Sequence, residues 1–140
     1  MTSPATINVL RVVAYAVVCH QHLLLVRKRN TTKFMFPGGK LDPGETRLEA
    51  VIREVREEIN CQVELPTVQF LGKFVTTAAN EANTRLIAYV YSGQLIGSPV
   101  ATNEIEEVFW LPGRERPDQL SLAPLVSDCV LPRLYELQKL

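Results

Sequence analysis

FPGGKLDPGETRLEAVIREVREEINC, residues 36–61, is the stretch that decides how the chain folds. It opens on Pro37-Gly38-Gly39, makes a second turn at Asp42-Pro43-Gly44, and then takes up helical periodicity. Leu48, Val51, Ile52, Val55 and Ile59 line up as one apolar stripe, which predicts a helix over 46–59. Thr46 and Glu49 have the spacing of a capping box, and Asn60 suits a left-handed C-terminal cap. On a helix of about 3.6 residues per turn, Glu54, Glu57 and Glu58 fall roughly 120° from the stripe. Carboxylates crowded within one turn repel each other. They form either a solvated face or a cation site.

Working outward, the N-terminal side reads as strands. Residues 1–6 look like a flexible lead-in. Ile7 to Cys19 is rich in Val, Ala and Tyr and predicts a long strand. His20-Gln21-His22 then breaks the apolar run before Leu23 to Val26, a pattern that predicts a hairpin with a short loop. Arg27-Lys28-Arg29 ends this second strand just ahead of the glycine turn. Arg27 and Arg29, with Lys40 after the turn, are the candidate phosphate contacts. Phe34 to Phe36 predicts a short strand.

Beyond the helix, strand character returns in Thr67 to Thr77, with Gly72 marking a candidate bulge. Ala78 to Asn83 reads as a polar loop, Leu86 to Tyr91 as a strand and Gly93 to Asn103 as a loop. Glu107 to Leu111 is a further strand and Pro112 to Pro117 a turn. Leu122 to Leu140 predicts a helix that Pro132 breaks or restarts. With no repeat or low-complexity linker, the 140 residues read as one domain of the α/β (α+β) class, layered around strands.

Fifteen basic and fifteen acidic residues cancel, which argues against a general electrostatic role on long nucleic acid or an anionic membrane. A small phosphorylated ligand needs only a local cluster and stays open. Cys19, Cys61 and Cys129 are odd in number and widely spaced, so neither a disulfide framework nor a zinc motif follows. Buried thiols in a reducing cytoplasm are the expectation. The apolar run Val12 to Cys19 is too short to span a bilayer.

On chemistry, Glu54, Glu57 and Glu58 can converge on one point, and their hard oxygens suit Mg²⁺, with Mn²⁺ as the alternative. Magnesium keeps waters and pairs with substrate phosphates, so the cluster points to phosphate chemistry. Arg53 stands one turn before Glu57 and is placed to fix its rotamer. The glycine turn lets backbone approach a ligand closely, with an exposed carbonyl available as a further ligand.

These residues resemble the signature of the Nudix hydrolase family, G-x5-E-x7-R-E-U-x-E-E-x-G-U with U a bulky aliphatic residue. Gly39, Glu45, Arg53, Glu54, Val55, Glu57 and Glu58 match at the required spacing. Asn60 replaces the last glycine and Cys61 the last aliphatic residue, both at the helix end and away from the carboxylates. The resemblance implies an α/β/α sandwich around a mixed sheet. It also implies metal-assisted hydrolysis of a nucleoside diphosphate linked to another group. By position, Glu54, Glu57, Glu58 and the Gly39 carbonyl would hold the metal, Arg53 would orient Glu57, and Glu45 would support them. The group that takes the proton from water is either Glu57 or a later carboxylate among Glu104, Glu106 and Glu107, with Glu107 preferred because it enters a strand directly.

Additional signatures of dinucleotide or coenzyme A pyrophosphatases are absent, which favours a MutT-like nucleoside triphosphate pyrophosphohydrolase. Nucleotide-sugar or ADP-ribose hydrolysis and a non-catalytic ligand sensor are the alternatives. Phe70, Phe74, Tyr89 and Tyr91 are candidate base-stacking residues, and Asn80, Glu81 and Asn83 candidate readers of base edges. The expected partner is a small nucleotide, and the resemblance adds a homodimer as an expectation.

Overall fold

The computed structural model describes residues 7–114 and 119–140. The expected lead-in and half of the turn expected at Pro112 to Pro117 lie outside them. Among the described residues, seven strands form two sheets. Strands β1 (Asn8–Ala16), β4 (Gly38–Lys40), β5 (Gln62–Thr77) and β6 (Thr84–Ile96) make a mixed sheet in the order β4-β1-β6-β5. Its β1–β6 pair is parallel and its other two pairs are antiparallel. Strands β2 (Val18–Cys19), β3 (His22–Lys28) and β7 (Ile105–Pro112) make an antiparallel sheet in the order β2-β3-β7.

Helix α1 (Arg47–Ile59) packs on one side of β1 and the C-terminal helical segment on the other. Alternation along β1 explains how one strand serves both layers. Val13, Tyr15 and Val17 pack with Ala50, Val51, Val55 and Ile59 of α1. Ala14 and Ala16 pack with Val126, Val130, Leu131 and Leu134 of the C-terminal segment. In β3, Leu24 and Val26 join the first cluster and Leu23 and Leu25 the second. The layered α/β/α arrangement around a mixed sheet is therefore as expected.

Several local expectations give way to tertiary pairing. The long hairpin does not form, because β1 pairs with β4 and β6 and the chain changes sheets at Val17. Only Val18–Cys19 pairs with His22–Leu23 across the turn. His20 and Gln21 make that turn with φ of 49° and 62°. Residues 34–36 contribute isolated bridges, Val26 to Met35 and Phe34 to Leu122, instead of a strand. The β5–β6 ladder runs well past its predicted ends, into the expected loop after Gly93. Pairing lapses between Glu64 and Gln69, where Pro66 has no N–H to donate. A second irregularity falls between Phe70 and Gly72, at the bulge the glycine suggested.

The C-terminal helix is shorter than predicted. It starts as a π-helical segment, Leu125–Val130, and continues as α2, Leu131–Glu136. The Leu131 N–H reaches back five residues to the Val126 carbonyl. Pro132 lacks an N–H and its ring crowds the carbonyl four residues earlier, so a widened turn just before it relieves both problems. Among the described residues no helix is long and apolar enough to cross a membrane.

Helix α1 itself follows its sequence closely. The Thr46 side chain accepts from the Glu49 N–H, and Glu49 accepts from the Thr46 N–H at 2.9 Å. Asn60 closes the helix at φ 54°, ψ 40°. Thr46→Ala removes the hydroxyl half of this box and should cost about 1 kcal/mol, read as a shift of the urea midpoint with an unchanged slope. A change in slope would instead mean that the helix is no longer part of one cooperative unit.

Candidate active site

The glycine turn and the acidic helix meet because β4 pairs with β1. Gly38 lies opposite Ala14 and Gly39 opposite Val13, which brings the turn beneath α1. No side chain fits at either glycine. A Cβ on Gly38 would overlap the Val13 carbonyl oxygen, and one on Gly39 would stand 2.9 Å from the Glu54 carboxyl carbon. The Gly38 N–H donates to Glu58 Oε1 at 2.8 Å. Thus the turn serves as backbone packed directly against two carboxylates.

Those carboxylates do not form a solvated face. Glu58 is 2 % exposed and Glu54 9 %, whereas the Glu57 side chain is half exposed. Burial pushes the Glu58 carboxyl up to about 8, against the opposing pull of the Gly38 N–H, and neighbouring Glu54 and Glu104 add to the rise. Glu54 is also raised, first by burial, with Arg53 opposing and Glu57 and Glu104 contributing. Two buried acids this short of positive charge are what an added cation would relieve.

Arg53 is the local counter-charge, and its geometry differs from the expected one. It grips Glu45 twice, at 2.7 and 2.9 Å, and Glu54 at 2.6 Å, and donates to the Lys40 carbonyl at 2.9 Å. Glu57, the partner expected for it, is the loosest of the set at 3.4 Å. Arg53 is thus first a clamp between the turn and the helix. Its hydrogen bond holds the Glu45 carboxyl down at about 2. Glu45 and Asp42 close the intervening turn with a mutual pair of backbone contacts, at 2.9 and 3.1 Å.

The end of α1 is held by a segment that its sequence does not announce. The Glu57 carbonyl accepts from Thr102 Oγ1 at 2.5 Å and from Asn103 Nδ2 at 2.7 Å. The Glu58 and Ile59 carbonyls accept from the Thr102 and Val100 N–H groups, both at 3.0 Å. Helix-terminal carbonyls need such partners when water is excluded. This clasp brings Glu104 alongside the buried carboxylates.

Three consecutive cations at and just past the end of β3 meet three acids at and just before the start of β7. Arg27 pairs with Glu107 at 3.2 Å, Lys28 with Glu104 at 3.7 Å and Arg29 with Glu106 at 2.6 Å. Glu107, the preferred later carboxylate, is therefore held by Arg27 at the sheet, while Glu104 acts electrostatically on Glu54 and Glu58. The expected phosphate contacts shift in the same way. Arg27 is also bound to the Thr31 carbonyl and Arg29 to the Asn103 carbonyl. Lys28 instead lines a cleft of about 150 Å³ that also reaches Gly38 and Gly39. Lys40 is exposed beside the turn and engages Arg53 through its carbonyl.

The interior of that cleft is apolar, with Leu10, Val12, Ala14, Leu86 and Val126 in its walls, and Asn80 and Glu81 border it. Phe70, Phe74, Tyr89 and Tyr91 are not among its lining residues. Phe74 packs into the core on the C-terminal-helix side, Phe70 packs edge-on against Tyr91 at 5.2 Å, and Tyr89 lies under Arg47. Asn83 turns the loop at φ 51° and does not line the cleft. Within their groups, the basic triplet and the three later carboxylates, Lys28 and Glu104 are not the members the sequence favours. The only signal for either was the basic triplet ahead of the glycine turn and the acidic run before Trp110.

A candidate metal site must also pass a test of arrangement. The donors are all carboxylate or carbonyl oxygen, a set that fits Mg²⁺ or Mn²⁺. As the side chains stand, however, no group of three acids or other ligating side chains among the described residues is poised to hold an ion. Arg53 holds Glu54 and the Gly38 N–H holds Glu58.

The NUDIX domain family matches residues 9–129, and the chain belongs to the Nudix hydrolase family. "Nudix hydrolase 3" of Caenorhabditis elegans is 32% identical over 81 residues, covering 55% of this chain and 33% of that protein. The chain thus spans about a third of the length of that relative. A Bacillus subtilis (strain 168) protein named "Putative 8-oxo-dGTP diphosphatase" is 26% identical over 103 residues, covering 69% of this chain and 68% of that protein. The fold is shared with the MutT protein of Methanosarcina mazei Go1, at TM-score 0.78 and 22% identity, over 98% of this chain and all of that one.

The buried Glu58 gives a pH prediction for the metal-free protein. Its carboxyl ionises near 4.5 when unfolded and near 8 when folded, so the folded state binds the extra proton between those values. Its contribution is full below the unfolded value and is lost as pH rises through the folded one. In chelator, thermal midpoints should decline from about pH 5 to about pH 8, and Glu58→Gln should flatten the decline. Parallel profiles for the two proteins would remove Glu58 as the cause.

Proposed function

We propose that the chain hydrolyses a phosphoric anhydride bond in a nucleoside diphosphate derivative. The substrate class the cleft fits best is a nucleoside triphosphate, which makes the chain a pyrophosphohydrolase of the MutT kind. The observation that carries it is the continuity of the cleft with Gly38 and Gly39, whose other side packs against the buried carboxylates. A base and sugar in the apolar cleft would leave the phosphates running over the glycine turn toward α1. A cavity of this size takes about one aromatic ring, and Asn80 and Glu81 lie where the edge of that ring would emerge.

Glu54, Glu57, Glu58 and the Gly39 carbonyl are the residues that would hold Mg²⁺, or Mn²⁺. When bound, such an ion supplies charge neutralisation for the diphosphate and lowers the pKa of attacking water. The chain's own groups do the rest. Lys28 meets the phosphates from the cleft wall, free to leave a loose 3.7 Å pairing with Glu104. Arg53 keeps Glu54 and Glu45 in register with the turn. Glu104 replaces Glu107 as the later-loop candidate to take the proton from water, alongside Glu57. The same reading places the protein in the cytoplasm, with Cys19, Cys61 and Cys129 as the free thiols they are here.

A panel of nucleoside triphosphates, 8-oxo-dGTP, ADP-ribose and nucleotide sugars, assayed with and without Mg²⁺, tests this reading. Turnover should need the ion, and a triphosphate should yield monophosphate plus pyrophosphate. Glu57→Gln should lower kcat by at least about a hundredfold. No ion-dependent turnover on any substrate would falsify the enzyme reading and leave a ligand sensor. Preference for ADP-ribose or nucleotide sugars would shift the substrate class while keeping the site.

Lys28 can be separated from the metal ligands by kinetics. Lys28→Met should raise KM about tenfold, the loss of one charge-assisted contact, with a smaller change in kcat. A fall in kcat with KM unchanged would place Lys28 with the carboxylates and not with the substrate.

A further inference from the structure

The sheet face under α1 is only partly covered by that helix. Beyond the helix N-terminus the same face continues across β1, β6 and β5. Pairing fixes which residues share it. Val9 lies beside Arg85 and Thr77, Arg11 beside Ile87 and Val75, Val13 beside Tyr89 and Lys73, and Tyr91 beside Phe70. Partners in a ladder project to one side, so these form successive rows about 6.8 Å apart along the strands. Arg11, Lys73 and Arg85 are exposed, as are Val9 at 47 %, Phe70 at 53 % and Val75 at 55 %. Arg47, from the first turn of α1, adds a guanidinium 3.7 Å above the Tyr89 ring, and the Lys73 ammonium lies 6.0 Å from the same centroid.

Two properties distinguish this face. Among the described residues the ion pairs lie elsewhere, and none engages Arg11, Arg47, Lys73 or Arg85. The rows themselves contain no acid, and Glu81 borders them only at the corner near Arg85 and Thr77. The formal neutrality of the chain therefore conceals a one-signed surface. The second property is the interleaving of rings with cations. Tyr89, Tyr91 and Phe70 stand among the charges, with few side chains suited to reading base edges.

We propose that this face is a docking surface for single-stranded nucleic acid, bound through backbone phosphates and base stacking without sequence readout. Rows of cations meet a repeating anion, and the exposed Phe70 ring, backed edge-on by the half-buried Tyr91, offers a flat base a stacking surface. A second copy of the chain is the poorer occupant, because a self-paired face would set cation against cation. An acidic protein segment would meet the charges but leave Phe70 without a stacking partner. The face lies across the sheet from the cleft walls at Leu10, Val12, Ala14 and Leu86, and the two surfaces meet only at the sheet edge, where Thr77 and Glu81 border both.

Fluorescence anisotropy of the full chain with a labelled, roughly 20-nucleotide oligo(dT) or oligo(U) at about 50 mM salt tests the proposal. Binding should weaken with salt at a log–log slope of about −2 to −3, as three or four phosphate contacts require. Arg11→Glu/Lys73→Glu/Arg85→Glu should reduce affinity at least about a hundredfold, and Phe70→Ala about five- to hundredfold. Both variants should keep wild-type thermal midpoints within a few degrees and unchanged nucleotide hydrolysis. Hydrolysis without oligonucleotide binding would overturn this inference alone. So would a triple variant that binds like wild type, or displacement by poly-glutamate together with a neutral Phe70→Ala, which would mark an acidic-protein surface. Binding to phosphatidylserine vesicles but not to oligonucleotide would make it a membrane surface. A dimer by light scattering that the triple variant dissolves would make it a contact between copies.

Discussion

Two glutamates buried on one helix are the constraint that the rest of this structure satisfies. A carboxylate in a dry site is costly unless donors and counter-charges reach it. Here the Gly38 N–H reaches Glu58, Arg53 reaches Glu54, and Lys28 contributes its charge from the neighbouring strand. Each comes from a different element, so the site is also the junction where β3, β4 and α1 are tied together. The glycines are part of the same solution. A side chain at Gly38 would overlap the Val13 backbone and displace the one backbone donor that Glu58 has, and one at Gly39 would press on the Glu54 carboxyl.

Local determinants in the sequence translated faithfully into structure. The apolar stripe of α1, its capping box and the left-handed Asn60 all depend on residues within one or two turns of each other. The Gly72 irregularity belongs with them. What could not be read locally was pairing. Val17 sits in an unbroken apolar run, and nothing in that run marks the change of sheets. The extension of β6 into a Gly- and Ser-containing segment depends on β5 lying alongside. At the site, the motif identified the acids and Arg53 but not the further cation that faces them. Arg27, Lys28 and Arg29 look equivalent in sequence, and only the ladder with β7 and the position of the cleft separate them.

The two faces of the mixed sheet differ in character. One carries a half-open apolar cleft that reaches the glycine turn, the other a helix and an open, cationic expanse. Both are consequences of β1, whose alternating side chains serve the two layers while its edge receives the glycine turn. Val13 alone lies opposite Gly39 on one side and Tyr89 on the other. A change in β1 packing would therefore be felt by the carboxylates and by the open face alike.

The clasp over the end of α1 also orders events in time. Its donors, Thr102 and Asn103, are 45 and 46 residues from the carbonyl they share. Closing a loop of that length carries an entropic cost that only the finished β5–β6 hairpin can shorten. A chain leaving the ribosome thus exposes the complete signature helix, capped and amphipathic, long before Glu104 and the clasp exist to enclose its carboxylates. Until the residues before β7 emerge, the acids remain hydrated and cost little. Their buried setting is complete only once a segment more than forty residues further along the chain has closed over the helix end.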